Sequence, residues 1–558
     1  MTSQDKLTFL ALGGAGEIGM NMYVYGYGRV GEQRFILVDA GVTFPNMEST
    51  PGVDLIMADP EFIASRADRL DAILITHAHE DHVGAIGHLY PQLRAPIVAR
   101  RFTAAIARQK LEKAGVDPAP VEEIGAWPVQ RAFGPFKVGF LPVSHSIPEA
   151  SALVIDTPAG RIVHTGDLKL DPTPLVGEPF DPDVFADLGA QGLKALVCDS
   201  TNVFSPHAGR SEASIVEDVR ALMKEAKGLV VATTFASNIA RLRTLAQAAH
   251  DAGRSVVVMG RAMNAMIQNG FSTGVLADFP PTVDVRDADN ISRENLFILA
   301  TGSQGERRAA TAQLASQSYM GFRLKEGDTM LFSSKTIPGN EVSVARILNQ
   351  MSMAGVRVID DSDGRYHVSG HANRPDLEQV HRLLKPDTVI PMHGEHRHLR
   401  AHAELAAASG IASVIAPNGS IVDLTDKTAS IIDTVETGRV YLDGKLLIGA
   451  MDGVVRDRIR MAVRGHIVVS VMVEPDGRIA DTPWVDCNGL AEAVPGRGAI
   501  ADLLEREIEE TLEAARPTSL KNDEALEKLV VKASHTLSLE LLGKKPVVTV
   551  LINRFDEG

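Results

Sequence analysis

Three histidines and one aspartate lie within six positions of the chain, directly after an apolar run. They are His77, His79, Asp81 and His82. The preceding residues 74–76 are aliphatic and β-branched, which favours a strand that ends at the first histidine. In extended chain, His77 and His79 project to the same side and can bind one cation, while the next two sit at a turn and can reach a second. Imidazole with carboxylate suits zinc, and manganese less well, so the spacing predicts a metal-binding loop.

Four further polar residues end predicted strands elsewhere in the chain. They are His145, Asp167, Asp199 and His393. His145 can complete the ligands of the first cation, although on its own a histidine at this place is more often a surface loop residue. The two oxygens of Asp167 can bridge a pair of cations. Asp39 also ends a strand, and two interpretations of it remain open: a carboxylate that orients a metal ligand, or an ordinary turn residue.

A glycine pattern near the start of the chain imitates a dinucleotide-binding motif. Gly14, Gly16 and Gly19 form G-x-G-x-x-G after a predicted strand. A nucleotide site requires a helix after the glycines, but residues 21–28 are aromatic, β-branched and interrupted by glycine, which favours a second strand. Residues 34–39 favour a third, so we predict an antiparallel β-meander and no nucleotide site.

The composition is that of a soluble protein with several domains. The 558 residues exceed what one hydrophobic core usually organises, so two to four domains are expected. Only two cysteines occur, Cys198 and Cys487, which argues against a disulfide framework and fits a reducing cytoplasm. We find no long apolar run and no signal-like start, so neither a membrane span nor export is expected. The formal net charge of −15 argues only weakly against a nucleic-acid partner, because two dications in a cleft would reverse the sign locally.

Regular alternation of strands and helices begins at Ser211 and predicts a small parallel α/β domain. Candidate ligands occur before and after this segment, so we expect it to be an insertion into the metal-binding domain. After about residue 440 the chain passes a connector rich in glycine and aspartate and ends in a separate α+β module. The alternating valines and isoleucines of that module can pair with another copy.

Three histidines at helical spacing follow the last candidate ligand: His396, His398 and His402. They suggest a further metal site, but we interpret them as solvated helix residues or as residues that support the ligands.

Taken together, these motifs resemble the metallo-β-lactamase superfamily and, within it, the β-CASP nucleases, most closely the bacterial ribonuclease J family. The resemblance covers nearly the whole chain, and the residues that carry it are 13–19, 77–82, 165–167, 199–201, 235–238, 369–372 and 391–395. Ala78 stands where glycine is expected, a departure that touches no ligand.

The resemblance implies an α/β fold in which residues 1–207 and 363–440 form an αββα sandwich of the metallo-β-lactamase type. Residues 208–362 would be the inserted parallel α/β domain, called β-CASP, followed by a linker at 441–460 and a C-terminal α+β domain at 461–558. Two zinc ions per chain are also implied, with Mn²⁺ or Mg²⁺ as substitutes or additional activators. The implied ligands are His77, His79 and His145 for one ion, Asp81, His82 and His393 for the other, and Asp167 as the bridge.

The implied activity is that of a ribonuclease in RNA maturation and mRNA decay, acting 5′→3′ on RNA with a 5′ monophosphate and also as an endonuclease. The expected catalytic residues are His371, Asp199 and Asp81. His371 would protonate the leaving oxygen or bind phosphate, and Asp199 would orient either His371 or His393.

The implied substrate pocket is formed by two short segments that each precede a predicted helix. Its residues are Phe235, Ser237, Asn238, Ser369, Gly370, His371 and Ala372. Free N–H groups at helix starts bind phosphate, although plain N-capping is the alternative for Ser237 and for Asn373.

The implied partners are single-stranded RNA, further copies of the chain in a homodimer or homotetramer formed through the C-terminal domain, and an RNA-decay complex. No membrane partner is expected. Two other classes stay open. A small-molecule metallohydrolase would share the histidine loop without needing the inserted domain, and a non-catalytic RNA-decay scaffold would be expected to have lost ligands.

Overall fold

In the computed structural model, residues 5–316 and 318–555 are described. They divide into two compact units. The first runs to Thr43 and then from Met57 to Arg439, and the second combines Phe44–Ile56 with the chain from Val440 onwards. Every candidate ligand lies in the first unit.

One layer of the first unit is an eight-stranded sheet. Its strands, in order across the sheet, are Ser430–Thr434, Ser420–Asp423, Lys6–Gly13, Met22–Gly28, Arg34–Val38, Leu70–Leu74, Ile97–Ala99 and Val121–Glu123. Lys6–Gly13 pairs antiparallel with Met22–Gly28, which pairs antiparallel with Arg34–Val38. The glycine-rich loop therefore leads to a strand, and the predicted meander is confirmed.

The second layer is a seven-stranded sheet. Its strands, in order, are Gln130–Phe133, Phe136–Pro142, Ser151–Thr157, Gly160–His164, Ala195–Asp199, Thr388–Met392 and Ala412–Ser413. Aromatic and aliphatic side chains from both sheets, such as Phe9, Tyr25 and Phe140, form one core between them. Alternation of inward and outward side chains along each strand gives each sheet a second face, which helices must cover.

Helices cover the outer faces of both sheets. Pro182–Ala190, Arg374–Leu384 and His396–Ala408 contribute apolar residues to a core on the outer face of the seven-stranded sheet. Arg101–Lys113 packs against Ile97–Ala99 and Val121–Glu123 of the other sheet. The remaining helices before residue 207 are Glu61–Ala64, Glu80–Val83 and Ile86–Leu93.

The segment predicted to be inserted has its own parallel sheet and its own hydrophobic core. The strands, in order, are Ser255–Met259, Leu296–Ala300, Val230–Thr233, Thr329–Phe332 and Arg357–Ile359. The α-helices are Val216–Glu225, Ile239–Asp251, Arg261–Thr273, Ala310–Ser316 and Glu341–Met353. All four strand pairs are parallel, as the β/α alternation predicts.

The second unit contains a three-stranded sheet covered by helices. Its strands are Trp484–Asn488, His466–Val473 and Val547–Arg554, and its helices are Val454–Arg464, Ile500–Glu513, Pro517–Leu520 and Asp523–Leu542. The predicted linker at 441–460 differs from the structure, because Arg439–Asp443 and Leu446–Gly449 form a hairpin and a helix follows. Gly444 adopts a left-handed conformation at the hairpin turn, so a glycine of the predicted connector serves a defined turn. None of the helices in the described ranges has both the length and the hydrophobicity needed to cross a bilayer.

Candidate metal centre

The candidate ligands come from loops at the ends of strands. Gly160–His164, Ala195–Asp199 and Thr388–Met392 are neighbouring parallel strands, so their carboxyl ends meet at one edge of the sheet. Asp167 and His393 lie just beyond two of these ends. The 77–82 loop follows Leu70–Leu74 in the facing sheet, and the backbone N–H of Ser151 donates to Thr76 O across the two layers.

The first set of side chains brings together residues from three loops. Its members are His77, His79, His145 and Asp167, whose ligand atoms all lie within 4.8 Å of one another. His79 Nδ1 is 3.1 Å from His77 Nε2 and 3.0 Å from His145 Nε2. Asp167 Oδ2 is 3.7 Å and 3.5 Å from the same two Nε2 atoms. This set is three imidazoles and one carboxylate oxygen.

The second set lies on the other side of Asp167. Its members are Asp81, His82, Asp167 and His393, with ligand atoms again within 4.8 Å of one another. Asp167 Oδ1 is 3.2 Å from His82 Nε2 and 3.5 Å from His393 Nε2. Asp81 Oδ2 is 3.7 Å and 3.6 Å from these nitrogens.

Asp167 faces each set with a different oxygen. Ligands at about 2.0–2.1 Å in a tetrahedral site lie roughly 3.3 Å apart, close to the 3.0–3.7 Å observed here. Within the described chain, Asp167 Oδ1 is buried and makes no well-directed hydrogen bond, although two imidazole nitrogens lie near it. The donor set therefore fits two adjacent metal ions bridged by one carboxylate.

Asp39 is buried beneath the second set and holds His82. Asp39 Oδ2 is 2.7 Å from His82 Nδ1, and the backbone N–H of Thr76 donates to Asp39 Oδ1 at 2.8 Å. The Thr76 hydroxyl donates to Asp39 Oδ2 at 2.9 Å and lies 3.0 Å from His77 Nδ1. Of the two interpretations left open by the sequence, this geometry favours the carboxylate that orients a ligand, because it fixes Nδ1–H of His82 and leaves Nε2 for a metal.

Two other contacts orient ligands and were missed by sequence reasoning. His393 Nδ1 lies 3.0 Å from Asn21 Oδ1, and Tyr23 donates its hydroxyl hydrogen to that same oxygen at 2.7 Å. His145 Nδ1 is 2.6 Å from Gly370 O. Neither partner carries a local signal, since Asn21 and Gly370 are separated from their histidines by hundreds of residues. Thr76, by contrast, did carry a local sequence signal, because it directly precedes His77.

Burial and neighbouring charge divide the histidines by protonation. Burial lowers the pKa of His77 and of His145 well below 6.5, and lowers that of His79 to about 4. The first set is therefore composed of neutral imidazoles at pH 7, the form that binds a metal. Burial also opposes the charge on His82, but the Asp167, Asp81 and Asp39 carboxylates outweigh it and raise the pKa of His82 well above 6.5. A metal that binds the second set must displace this proton.

His371 lies next to both sets but is held by a different carboxylate. Its Nδ1 is 2.8 Å from Asp199 Oδ2 and 3.9 Å from Asp167 Oδ2. Burial opposes protonation, yet Asp199 and then Asp167 prevail and raise the pKa of His371 to about 9. The imidazolium has 22% of its side-chain surface exposed, so a charged donor faces the space beside the candidate metals.

The backbone around the ligands is tightly packed. A Cβ on Gly41 would lie 1.6 Å from the carbonyl oxygen of Asp81, and one on Gly370 would lie 2.9 Å from the His145 ring. Asp39 and His393 have φ values of 62° and 50°, a left-handed conformation that costs free energy for residues other than glycine. The ligand loops are therefore held by close backbone contacts as well as by hydrogen bonds.

A buried arginine connects the helix after the first predicted pocket segment to the chain just before the second. The N-cap of the helix Ile239–Asp251 is Asn238, which accepts from the backbone N–H of Arg241 at 3.0 Å, so the capping alternative is wrong for Ser237. Arg241 forms a buried ion pair with Glu212 and donates to Tyr366 O at 3.3 Å. Asn373 caps the helix that follows the second segment.

The second segment is held close to the metal ligands. The Ser369 hydroxyl accepts from the backbone N–H of His371, and Ala372 N–H donates to Leu168 O at 2.6 Å. Ser237 and Phe235 are half-buried and lie at the start of the capped helix Ile239–Asp251.

The interpretation of the late histidines as solvated is wrong for two of them. His396 is exposed, but His398 and His402 are buried on the inner face of their helix. His402 Nδ1 lies 2.9 Å from the Ser200 hydroxyl, and its Nε2 lies 3.0 Å from His381 Nε2. His402 thus connects the helix to Ser200, just after the strand that ends at Asp199, and neither histidine belongs to a candidate ligand set.

Comparison with known proteins matches four parts of the chain to described families. The matches are the metallo-beta-lactamase superfamily over residues 16–203, the ribonuclease J beta-CASP domain over 227–351, the Zn-dependent metallo-hydrolase RNA specificity domain over 365–417 and the ribonuclease J C-terminal domain over 453–555. The predicted fold class, a metallo-β-lactamase fold with a β-CASP insertion and a C-terminal domain, is confirmed. A crystal structure of a protein of unknown function from Enterococcus faecalis V583 shares the fold, with a TM-score of 0.53 and 18% identity over 75% of this chain and 100% of that one.

Full-length relatives extend the match along the chain. Ribonuclease J of Thermus thermophilus is 34% identical over 85% of this chain and 83% of its own length. Ribonuclease J of Corynebacterium glutamicum is 35% identical over 90% of this chain and 70% of its own length. Ribonuclease J of Sinorhizobium meliloti is 39% identical over 99% of this chain and 98% of its own length. With identity of this level across all of its domains, the chain belongs to the ribonuclease J family of the metallo-β-lactamase superfamily.

Proposed function

We propose that this metal-dependent ribonuclease uses two zinc ions to hydrolyse RNA 5′→3′ from a 5′ monophosphate, with endonuclease activity alongside. The single observation that carries the proposal is Asp167, which directs one oxygen to each of two adjacent ligand sets. Three imidazoles in the first set and two in the second favour zinc over Mg²⁺, which prefers oxygen ligands and water. Bound as a pair, the ions would activate water and neutralise charge on the scissile phosphate.

We assign the proton transfer to His371. Its ring lies beside both sets and is oriented by Asp199, whose carboxylate lies 2.8 Å from Nδ1 and favours the protonated form. A protonated imidazole can donate to the 3′ oxygen that leaves when the phosphodiester is cleaved, and the product then carries a 5′ phosphate. Asp81 contributes as a ligand with 30% of its side chain exposed, so it borders the space in which the phosphate would lie.

Two helix starts support recognition of a 5′ phosphate. Residues 235–238 and 369–372 precede the helices Ile239–Asp251 and Arg374–Leu384. Backbone N–H groups and hydroxyls at helix N-termini favour an anion. Arg241, in the helix after the first segment, donates to Tyr366 O, three residues before the second segment, so the chain next to one segment contacts the chain next to the other.

The experiment compares three RNAs that differ only at the 5′ end. The zinc-loaded protein is expected to release mononucleotides faster from the 5′-monophosphorylated RNA than from its 5′-hydroxyl or 5′-triphosphate form. Equal rates on all three would remove the phosphate pocket. Asp167→Asn is expected to lower cleavage by more than about 100-fold and to reduce the zinc bound per chain, because the bridge loses an anionic oxygen. Full activity in a folded Asp167→Asn variant would refute the dinuclear assignment.

The pH profile tests the role of His371 separately. Cleavage that needs the imidazolium falls at alkaline pH as His371 loses its proton, and the neighbouring Asp199 carboxylate raises the pKa at which this happens. Asp199→Asn removes the carboxylate that is 2.8 Å away and is expected to move this fall to lower pH. An unchanged alkaline limb in Asp199→Asn would exclude His371 as the proton donor and leave it a phosphate-binding role.

We also propose that the C-terminal unit forms a homodimer or homotetramer through the open face of its sheet. Ser470 pairs with Trp484 on one side and with Leu551 on the other, so these side chains share one face. Trp484 is 57% exposed, and Leu551 and Met472 are 49% and 43% exposed. Exposed apolar side chains grouped on one sheet face are typical of an interface. Light scattering at micromolar concentration is expected to give a dimer or tetramer, and Trp484→Lys a monomer. A wild-type monomer would contradict this assignment.

A further inference from the structure

A short loop beside the candidate metal centre carries an exposed phenylalanine ring. The loop, residues 200–205, connects the strand that ends at Asp199 to the chain leading into the β-CASP domain. Val203 is buried in the core, whereas Phe204, the next residue, is 52% exposed. The exposed ring offers an apolar face to a ligand in solution.

Hydrogen bonds hold this loop against two parts of the site. The Thr201 hydroxyl donates to the backbone carbonyl of His393 at 3.0 Å. Asn202 Nδ2 donates to the Ser369 hydroxyl at 2.8 Å and to Asn373 Oδ1 at 3.0 Å. The loop is therefore fixed between a candidate metal ligand and the segment assigned to phosphate binding.

The Phe204 ring itself is held on one side only. Its centroid lies 5.0 Å from that of His398, a buried ring that packs beside Gly394, the residue after the ligand His393. The Arg397 guanidinium lies 5.6 Å from the Phe204 centroid, and Arg397 Nε donates to Glu395 Oε2 at 2.7 Å. The ring thus contacts a buried ring and has a cation at its border, but much of its surface remains open to solvent.

A rigid aromatic ring beside a guanidinium is the arrangement that single-stranded RNA favours. Nucleobases stack on aromatic faces, and the neighbouring cation attracts both the base and the adjacent phosphate. Stacking tolerates any base, which suits an enzyme that degrades RNA of varied sequence. A protein side chain could cover the ring as well, but the contacts of this loop with the metal-ligand and phosphate-binding segments favour the substrate.

We propose that Phe204 is a stacking platform for one nucleobase of the RNA substrate, set beside the metal centre by the 200–205 loop. The proposal rests on the ribonuclease function proposed above. It adds a base-binding position that acts on substrate affinity, and the test therefore separates affinity from turnover.

The test measures kcat and KM on a 5′-monophosphorylated oligonucleotide for the zinc-loaded full-length wild type and three variants. Phe204→Ala is expected to raise KM by about 5- to 150-fold, the range that corresponds to one stacked base, with a much smaller change in kcat. Phe204→Trp, which keeps an aromatic face, is expected to stay close to the wild type. Phe271→Ala is the matched control, since Phe271 is 42% exposed on a helix of the β-CASP domain and should leave KM unchanged.

A second measurement locates the stacked base. Oligonucleotides with one abasic residue at successive positions are expected to show one position where the wild type loses affinity and Phe204→Ala loses no more. Zinc content and melting temperature confirm that each variant is folded. An unchanged KM in Phe204→Ala, or the same abasic profile in both proteins, would overturn the platform while leaving the ribonuclease assignment intact. Failure of the wild type to cleave any RNA would overturn the proposed function itself, and the platform with it.

Discussion

Replacing Asp39 with asparagine separates the orienting role of this carboxylate from simple space filling. The carboxylate accepts from Thr76 N–H with one oxygen and from His82 Nδ1–H with the other. In an asparagine, one of these oxygens becomes an NH₂ group. Whichever way the amide is oriented, its NH₂ group therefore faces another donor, either the backbone N–H of Thr76 or Nδ1–H of His82.

The cost of this conflict can be estimated from the bond that is lost. A hydrogen bond to a charged group contributes about 1.5–3 kcal/mol, which corresponds to roughly 10- to 150-fold in a binding constant. If the bond to Nδ1–H is lost, His82 can place its hydrogen on Nε2, the atom that faces Asp167 and Asp81. We therefore expect Asp39→Asn to weaken zinc binding at the second set by a factor in this range.

Competition with a chromophoric zinc chelator measures the affinity, and RNA cleavage at limiting and saturating zinc measures its effect on activity. The deficit of Asp39→Asn is expected to shrink when zinc is in excess. Asp156→Asn is the matched control, because Asp156 is a half-buried strand residue paired with Arg161 and lies outside both ligand sets. If folded Asp39→Asn binds zinc within a factor of about two of the control, the orienting role is refuted.

Three further predictions follow from burial and packing. Gly41→Ala is expected to displace the Asp81 carbonyl and so to lower both zinc content and melting temperature. Gly125→Ala should change neither, because the new Cβ would have its nearest neighbour at 3.4 Å. Equal behaviour of the two variants would contradict the packing argument. Burial lowers the pKa of His381 to about 4, so at this position the unfolded chain binds a proton before the folded chain does as the pH falls below about 6.5. Between pH 7 and pH 5 this difference should lower the free energy of unfolding by about 2 kcal/mol. Urea unfolding measures the loss, which should be absent in His381→Asn. Chelation of the metals should lower the melting temperature, because an ion present at 100 times its Kd stabilises the folded state by about 2.7 kcal/mol, and calorimetry with and without chelator tests this.

Local pattern was sufficient wherever the chemistry is encoded in short spacing. The 77–82 loop, the meander in place of a nucleotide site and the parallel sheet of the inserted segment all follow from periodicity and composition over a few residues. Strand ends were also predictable, because apolar runs stop where polar ligands begin. This is why candidate ligands from distant parts of the chain could be named before any coordinates.

Contacts between remote residues required the folded chain. The open question about Asp39 turned on a 2.7 Å contact with His82, and the roles of Asn21 and of Gly370 O depend on which loops meet at the sheet edge. The buried side of the helix carrying His402 was misjudged, because helical spacing alone does not show which face meets the sheet. Spacing along the chain thus specified which groups could bind metal, whereas their orientation depends on hydrogen bonds across hundreds of residues, for which a local pattern carries no information.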